Sequence, residues 1–374
     1  MDEPISAVDE VEEGPGLAGR IASGVVAAVA CLGLLIWGVI AIREDGPTRS
    51  WVRGLRNVDV AMRRESARQL GSPATVDVRL AIPALIRANA DVDPEVRAEA
   101  ISSLGQLAAG AIHREAKGDR DAAVQALLGA MSDREGRVRE VALATLGLYF
   151  QSAQLAGEAA PGSPTAGDRR GYVARVVPLL EDPASEVRFA AGSCLGCLPN
   201  DLDPAIPALV AAAAREATLR PGIRRGAAVA LRRARPTRAA VPGLVEALRS
   251  PDPKARFFAA STLGRVARGA TEAVPALVAM LRESPPSGEV LEDPGRAAAS
   301  SLGLIAPGTP AAATAIAALR AARAPDDPTR DRAVIEALAQ FEPGARPPAP
   351  EPWPAPGRPG SPKERIRRGR DPFN

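Results

Sequence analysis

Apolar residues recur along this chain with a helical period. In Val96-Arg97-Ala98-Glu99-Ala100-Ile101-Ser102-Ser103-Leu104-Gly105, the residues Val96, Ala100 and Leu104 stand four apart. That spacing puts them on one helical face. The same ten-residue phrase returns at 62–71, 138–147, 187–196 and 255–264, and 223–231 keeps all of it but the glycine. A leucine falls seven residues after the arginine each time, and successive arginines are 32 to 49 residues apart. Self-similarity on such a period predicts stacked repeats.

A second apolar pattern precedes the phrase. It reads Ala81-Ile82-Pro83-Ala84-Leu85-Ile86, then Ala205-Ile206-Pro207-Ala208-Leu209-Val210, Ala240-Val241-Pro242-Gly243-Leu244-Val245 and Ala273-Val274-Pro275-Ala276-Leu277-Val278. Each proline is expected just inside a helix start, where its missing N–H costs nothing. The pairs Asp93-Pro94 and Asp252-Pro253 read as an N-cap followed by proline at the first helical position. One unit is therefore helix, short turn, helix. A lone hairpin cannot bury its apolar face, and stacking neighbours do so for it.

The Ile/Val-Pro-x-Leu segments, the Asp-Pro-x-Val-Arg turns and the x-Ala-x-x-x-Leu-Gly helices resemble the HEAT-repeat family, in particular the short repeats of phycobilisome-lyase-like proteins. The resemblance runs from about Val52 to Phe341 and decays at the end, where Gly295 and Asp331 occupy the arginine position. It implies an all-α, right-handed α-solenoid of about eight HEAT-like hairpins, with second helices lining the concave face. It also implies Asp and Arg side chains bonded along the stack, which assigns structural roles to Asp93 and Arg97 and to Asp252 and Arg256. On function it is nearly silent.

One segment breaks the repeat pattern. Between Arg20 and Arg43, the 22 residues from Ile21 to Ile42 carry no charge. At ~1.5 Å per residue they reach ~33 Å, enough for a ~30 Å hydrocarbon core. The stretch predicts a single transmembrane helix preceding the solenoid. The residues before it are acidic, and the run is too long for a cleaved secretory signal. A lipoprotein signal ending at Cys31 fits less well, because Leu32 to Ile42 stays apolar. Arg43, Arg49, Arg53 and Arg56 follow the span, against Arg20 alone before it. This asymmetry favours a cytoplasmic repeat domain. The expected organisation is an acidic tail at 1–20, the span at 21–42, a linker at 43–50, the solenoid at 51–342 and a proline-rich basic tail at 343–374. Gln151 to Gly171 and Ser284 to Pro294 read as loops inserted between units.

Composition narrows the chemistry. The net charge of +3 does not by itself imply a nucleic-acid partner, and aromatic residues make up only 3% of the chain, which disfavours an aromatic-walled enzyme pocket. Cys31, Cys194 and Cys197 permit no disulfide framework. Cys194 aligns with Ser103, Thr145 and Thr262, so it is expected to be a small packing residue. His113 is the single histidine, which excludes multi-histidine metal centres, including the iron site of deoxyhypusine hydroxylase on related repeats. The Gly14-x-Gly16-x-x-Gly19 match to a dinucleotide fingerprint has no strand before it. No cofactor and no metal are expected.

One charge cluster stands out. Arg220, Arg224, Arg225, Arg232, Arg233, Arg235 and Arg238 crowd one unit, and a helix would gather Arg225, Arg232 and Arg235. They are the candidate partner-binding residues, suited to an acidic protein segment or a phosphate. The expected function is a non-catalytic, membrane-anchored scaffold or adaptor with a protein partner. Two alternatives are a lyase-type enzyme acting on a chromophore-bearing protein, and nucleic-acid binding through the arginines.

Overall fold

The structure, a computed structural model, describes residues 46–72, 74–110, 117–157, 163–217, 226–283 and 292–342. The predicted span, the acidic tail and the basic tail lie outside these residues. Among the described residues no helix is long and apolar enough to cross a membrane.

The described residues form eight antiparallel helical hairpins. They are α1 (Pro47–Gly54) with α2 (Val60–Gln69), α3 (Val78–Ala88) with α4 (Pro94–Gly110), α5 (Lys117–Ala130) with α6 (Gly136–Ala156), and α7 (Ala166–Val176) with α8 (Ser185–Leu195). Then come α9 (Ile206–Ala217) with α10 (Gly226–Arg233), α11 (Val241–Ala247) with α12 (Pro253–Val266), α13 (Val274–Met280) with α14 (Pro294–Ile305), and α15 (Ala312–Ala321) with α16 (Pro328–Ala339). Second helices of successive units pack side by side except at the junction of the fifth and sixth hairpins, where α12 packs on α9, and first helices touch more sparingly. One continuous core runs the length of the stack, built on Leu70, Leu104, Leu146, Leu195, Leu231, Leu263 and Leu302, all fully buried. These are the leucines of the recurring phrase. Each contributes about 1.5–3 kcal/mol by leaving water.

Local chemistry starts the helices as the Asp-Pro pairs predict. The Asp252 carboxylate accepts from the Lys254 N–H at 2.9 Å ahead of Pro253, and Asp93 accepts from the N–H groups of Glu95 and Val96 ahead of Pro94. Thr165 and Asp168 form a reciprocal capping box at the start of α7. Pro242 and Pro275 sit in the first turn of their helices. Pro83 departs from that rule. Asp77 caps α3 a turn earlier than the proline suggests, so Pro83 lies inside the helix. Its ring is exposed, and so is Arg79, whose carbonyl loses its helical donor to solvent.

Two boundaries also differ from expectation. Helix α1 begins at Pro47, inside the stretch read as linker. The loop expected at 151–171 is mostly helical: α6 continues to Ala156 and α7 opens at Ala166, which leaves 157–165 as the connection. Gly157, at a φ of 86°, ends α6. Most of 284–294 lies outside the described residues, and Pro294 opens α14.

The glycine that closes the phrase has a steric cause in four units. A Cβ on Gly105 would overlap Thr145 Cγ2, and one on Gly71 would lie 2.6 Å from Ser103 Oγ. On Gly264 it would meet Ser301 Oγ at 2.7 Å, and on Gly303 it would meet the Ala337 backbone at 2.8 Å. The glycine of one unit thus receives the small residue of the next, two positions earlier in its phrase. Cys194 stands at the matching position opposite Gly147, at ordinary contact distance, and is buried. Its alignment with serine and threonine is a packing requirement.

Candidate functional site

The hairpin topology gives the stack two long edges. The turns within hairpins lie on one, and the connections between hairpins lie on the other. The arginines of the recurring phrase stand on the turn edge. Arg97 donates through Nε and Nη2 to Asp133 of the next unit at 2.8 and 2.9 Å. Its Nη1 donates to the carbonyls of Asp91 and Val92 in its own turn. Arg63 holds Asp91, and Arg139 holds Asp182, with the same geometry. Arg256 holds Glu283, with Nε at 2.8 Å. At the far end the direction reverses, and Arg330 reaches back to Asp293.

These carboxylates are tied twice. Asp91, Asp133 and Asp182 each also accept the N–H two residues on. Burial pushes their pKa values up, but the arginine and backbone hydrogen bonds outweigh it and hold all three below the ordinary aspartate value. The resemblance assigned a role along the stack to Asp93, but the structure gives the bidentate rung to Asp91. Asp93 caps its own helix and lies 3.6 Å from Arg64. Asp252 likewise caps α12. The signal for the correct residue was an aspartate six positions before Arg97, Arg139 and Arg188.

The ladder thins in the middle of the stack. In the sequence, Thr218 and Ser250 occupy the position six before the phrase arginine that Asp91, Asp133 and Asp182 occupy in other units, and 218–225 contains no acidic residue. Among the described residues Arg188 bonds only the carbonyls of Asp182 and Pro183.

The arginine cluster falls in this same region, and the structure describes part of it. Arg220, Arg224 and Arg225 lie outside the described residues, in the sequence ahead of α10. Arg232 and Arg233 end α10, while Arg235 and Arg238 follow it. Arg235 lies beyond the end of α10 at Arg233, so that helix does not carry it. The Arg235 backbone N–H donates to the Pro199 carbonyl of the preceding unit at 2.8 Å. Arg232, Arg233, Arg235 and Arg238 are exposed, and no carboxylate among the described residues pairs with them. They stand on the connection edge. Exposed Arg268 joins them from the next unit: a Cβ on its neighbour Gly269 would lie 4.0 Å from Arg238 Cβ. Sequence reading missed Arg268 because it is 30 residues from Arg238.

Buried polar groups near the cluster serve structure. The Glu216 carboxylate accepts from the Ala227 and Ala228 N–H groups at 3.1 and 3.4 Å, so α9 caps α10 through space. Arg265 donates to the carbonyls of Leu231 and Ala234, which end α10, and burial lowers its pKa. Burial raises the thiols of Cys194, strongly, and of Cys197, where nearby Arg233 opposes it. A shallow recess near Phe150, Gln154 and Pro199 contains the Arg169–Asp201 ion pair, 2.7 Å long. His113 lies outside the described residues. Among the described residues no group of three His, Cys, Asp or Glu side chains is arranged to hold a metal ion.

The outward face of the second helices is small and uncharged at Ser102, Ala144, Ser193, Val229 and Ser261, with Leu148 more than half exposed.

Residues 217–290 match the family model of HEAT repeats. This segment contains the arginine cluster from Arg220 onward. Among solved structures, importin beta is similar with a TM-score of 0.56 at 15% identity, over 79% of this chain and 41% of that one. Kap121p, in its complex with Pho4p, is similar with a TM-score of 0.52 at 14% identity, over 78% and 33%. The chain thus spans less than half of either protein. Human deoxyhypusine hydroxylase covers 81% of this chain at 19% identity, but its TM-score of 0.32 carries no argument. No curated protein matches the chain. The described residues form an all-helical stack that resembles HEAT solenoids.

Proposed function

We propose that the chain is a non-catalytic scaffold, anchored by a single membrane span at 21–42, whose HEAT-type solenoid holds a protein partner at the inner face of the membrane. The observation that carries this reading is how the stack uses its charges. The arginine–carboxylate pairs of the turn edge tie one unit to the next, while the second helices keep a long outward face of small side chains around exposed Leu148. A stiff, extended surface of this kind suits macromolecular docking. Kap121p, a structural neighbour, is seen in complex with Pho4p, and a protein partner is proposed here by analogy. The charge-free run flanked by more arginines after than before supports the anchor and a cytoplasmic solenoid.

The test is photo-crosslinking in intact membranes, with the reactive group placed at Ala144 or Ser193 and at an inward control. A discrete protein adduct from the outward positions alone supports the reading. Adducts to no protein from any outward position sink it. Protease protection in sealed spheroplasts tests the topology separately: digestion of the solenoid from outside would overturn the cytoplasmic placement.

A further inference from the structure

Resting on the membrane-anchored reading above, we propose that the connection edge of the solenoid lies against the bilayer. There Arg232, Arg233, Arg235, Arg238 and Arg268 bind the phosphates of anionic lipid headgroups.

Topology comes first. In a stack of antiparallel hairpins, every connection between units lies on one edge, together with both ends of the stack. Bonds across that edge tie it together. The Asp77 N–H donates to Thr48 Oγ1 at 2.9 Å, the Arg235 N–H to the Pro199 carbonyl at 2.8 Å, and the Thr237 N–H to Asp203 at 2.9 Å. The chain therefore enters at residue 46 and leaves at residue 342 on the arginine edge. Four residues, 43–46, separate the apolar run from α1. Fully extended, that connection reaches at most about 18 Å. The anchored end of this edge is held near the membrane surface. The segment beyond 342 contains Lys363, Arg365, Arg367, Arg368 and Arg370.

Charge comes second. Arg63, Arg97, Arg139, Arg256 and Arg330 on the turn edge are all bound to carboxylates. The five arginines of the connection edge are exposed and have no such partner among the described residues. Carboxylates of the neighbouring connections stand near them, and Asp201 among these pairs with Arg169. Asp203 accepts the Thr237 N–H and hydroxyl, and Glu272 follows Arg268 in the same connection. Ala234, Pro236, Thr237 and Ala239 lie between the arginines, so no aromatic platform for stacked bases is present. Guanidinium groups bind phosphate through paired N–H donors. Anionic leaflets attract each such group by about fivefold in partition. An acidic peptide would fit the same donors. The bilayer is favoured because the short tether keeps its headgroups at high local concentration.

The test is hydrogen–deuterium exchange of the full chain, reconstituted in phosphatidylcholine bilayers with and without phosphatidylglycerol. Backbone amides of 234–240 and 267–272 should exchange several-fold more slowly in the anionic bilayer. The difference should vanish in the variant R232Q/R233Q/R235Q/R238Q and fade in high salt, while amides at 91–93 on the turn edge stay unchanged. Equal exchange in both bilayers overturns the proposal, as does protection that appears only when an acidic protein or RNA is added. Alkaline carbonate extraction separates this failure from failure of the anchor. A chain that carbonate releases is not spanning the bilayer. A chain that stays put without edge protection is anchored but does not lie on the surface.

Discussion

Arg97 and Asp133, 36 residues apart in sequence, meet through two parallel hydrogen bonds of 2.8 and 2.9 Å across the boundary between the second and third hairpins. Their side chains are only 6% and 13% exposed. Removing the guanidinium would strand a nearly buried carboxylate and two turn carbonyls. Arg97→Ala should therefore cost about 3 kcal/mol, and Arg97→Lys, which cannot bond bidentately, about half of that. Denaturant unfolding followed by circular dichroism measures both. Equal stabilities for the lysine variant and the parent would show that the fork geometry contributes nothing.

The same pairs give the stack an acid limit. Asp91, Asp133 and Asp182 are held below the ordinary value of 3.8 in the folded chain. For a depressed carboxyl, the stabilisation is present above the unfolded pKa and is lost as pH falls through the folded one. Stability should be flat from neutrality to about pH 5 and fall below the ordinary aspartate value. Asp133→Asn should flatten that fall. An unchanged acid slope in this variant would remove the ladder as its cause.

The glycines of the phrase predict a coupled pair. Gly105→Ala would drive a methyl into Thr145 Cγ2 and should destabilise by about 1–3 kcal/mol. Adding Thr145→Ala removes the obstructing methyl and should recover most of the loss. A double-mutant cycle with no coupling between the two positions would contradict the steric account.

Cysteine reactivity reports on the stack without any mutation. Cys194 is fully packed against Gly147, and both it and half-buried Cys197 have pKa values above the ordinary thiol. Thiolates are the reactive species. Peptide mapping after iodoacetamide at neutral pH should find Cys197 alkylated slowly and Cys194 only in denaturant. Rapid native labelling of Cys194 would mean that the contact between α6 and α8 opens.

The period, the helical hairpins, the Asp-Pro caps and the packing role of Cys194 were legible because each depends on residues close in sequence. Side-chain spacing sets a helical face, and a cap needs only its own first turn. Four features needed the tertiary structure. The rung carboxylate is Asp91 and not Asp93, because the partner of Arg63 comes from a different unit, and two aspartates two residues apart are equivalent until that unit is placed. Glu216 caps α10 from the preceding helix, since the sequence Ile223-Arg224-Arg225 offers no local cap. Pro83 looked like a helix start because local pattern cannot show that Asp77 already supplies one. The arginine run of 220–238 read as one local patch, and among the described residues its later part, from Arg232 to Arg238, is joined by Arg268 from the next unit. The sequence by itself determined which segments become helices and which faces they bury, through local propensity and periodic hydrophobicity. Only the stacked structure decided which charges are paired within the ladder and which stay exposed, because that depends on where the next unit lies.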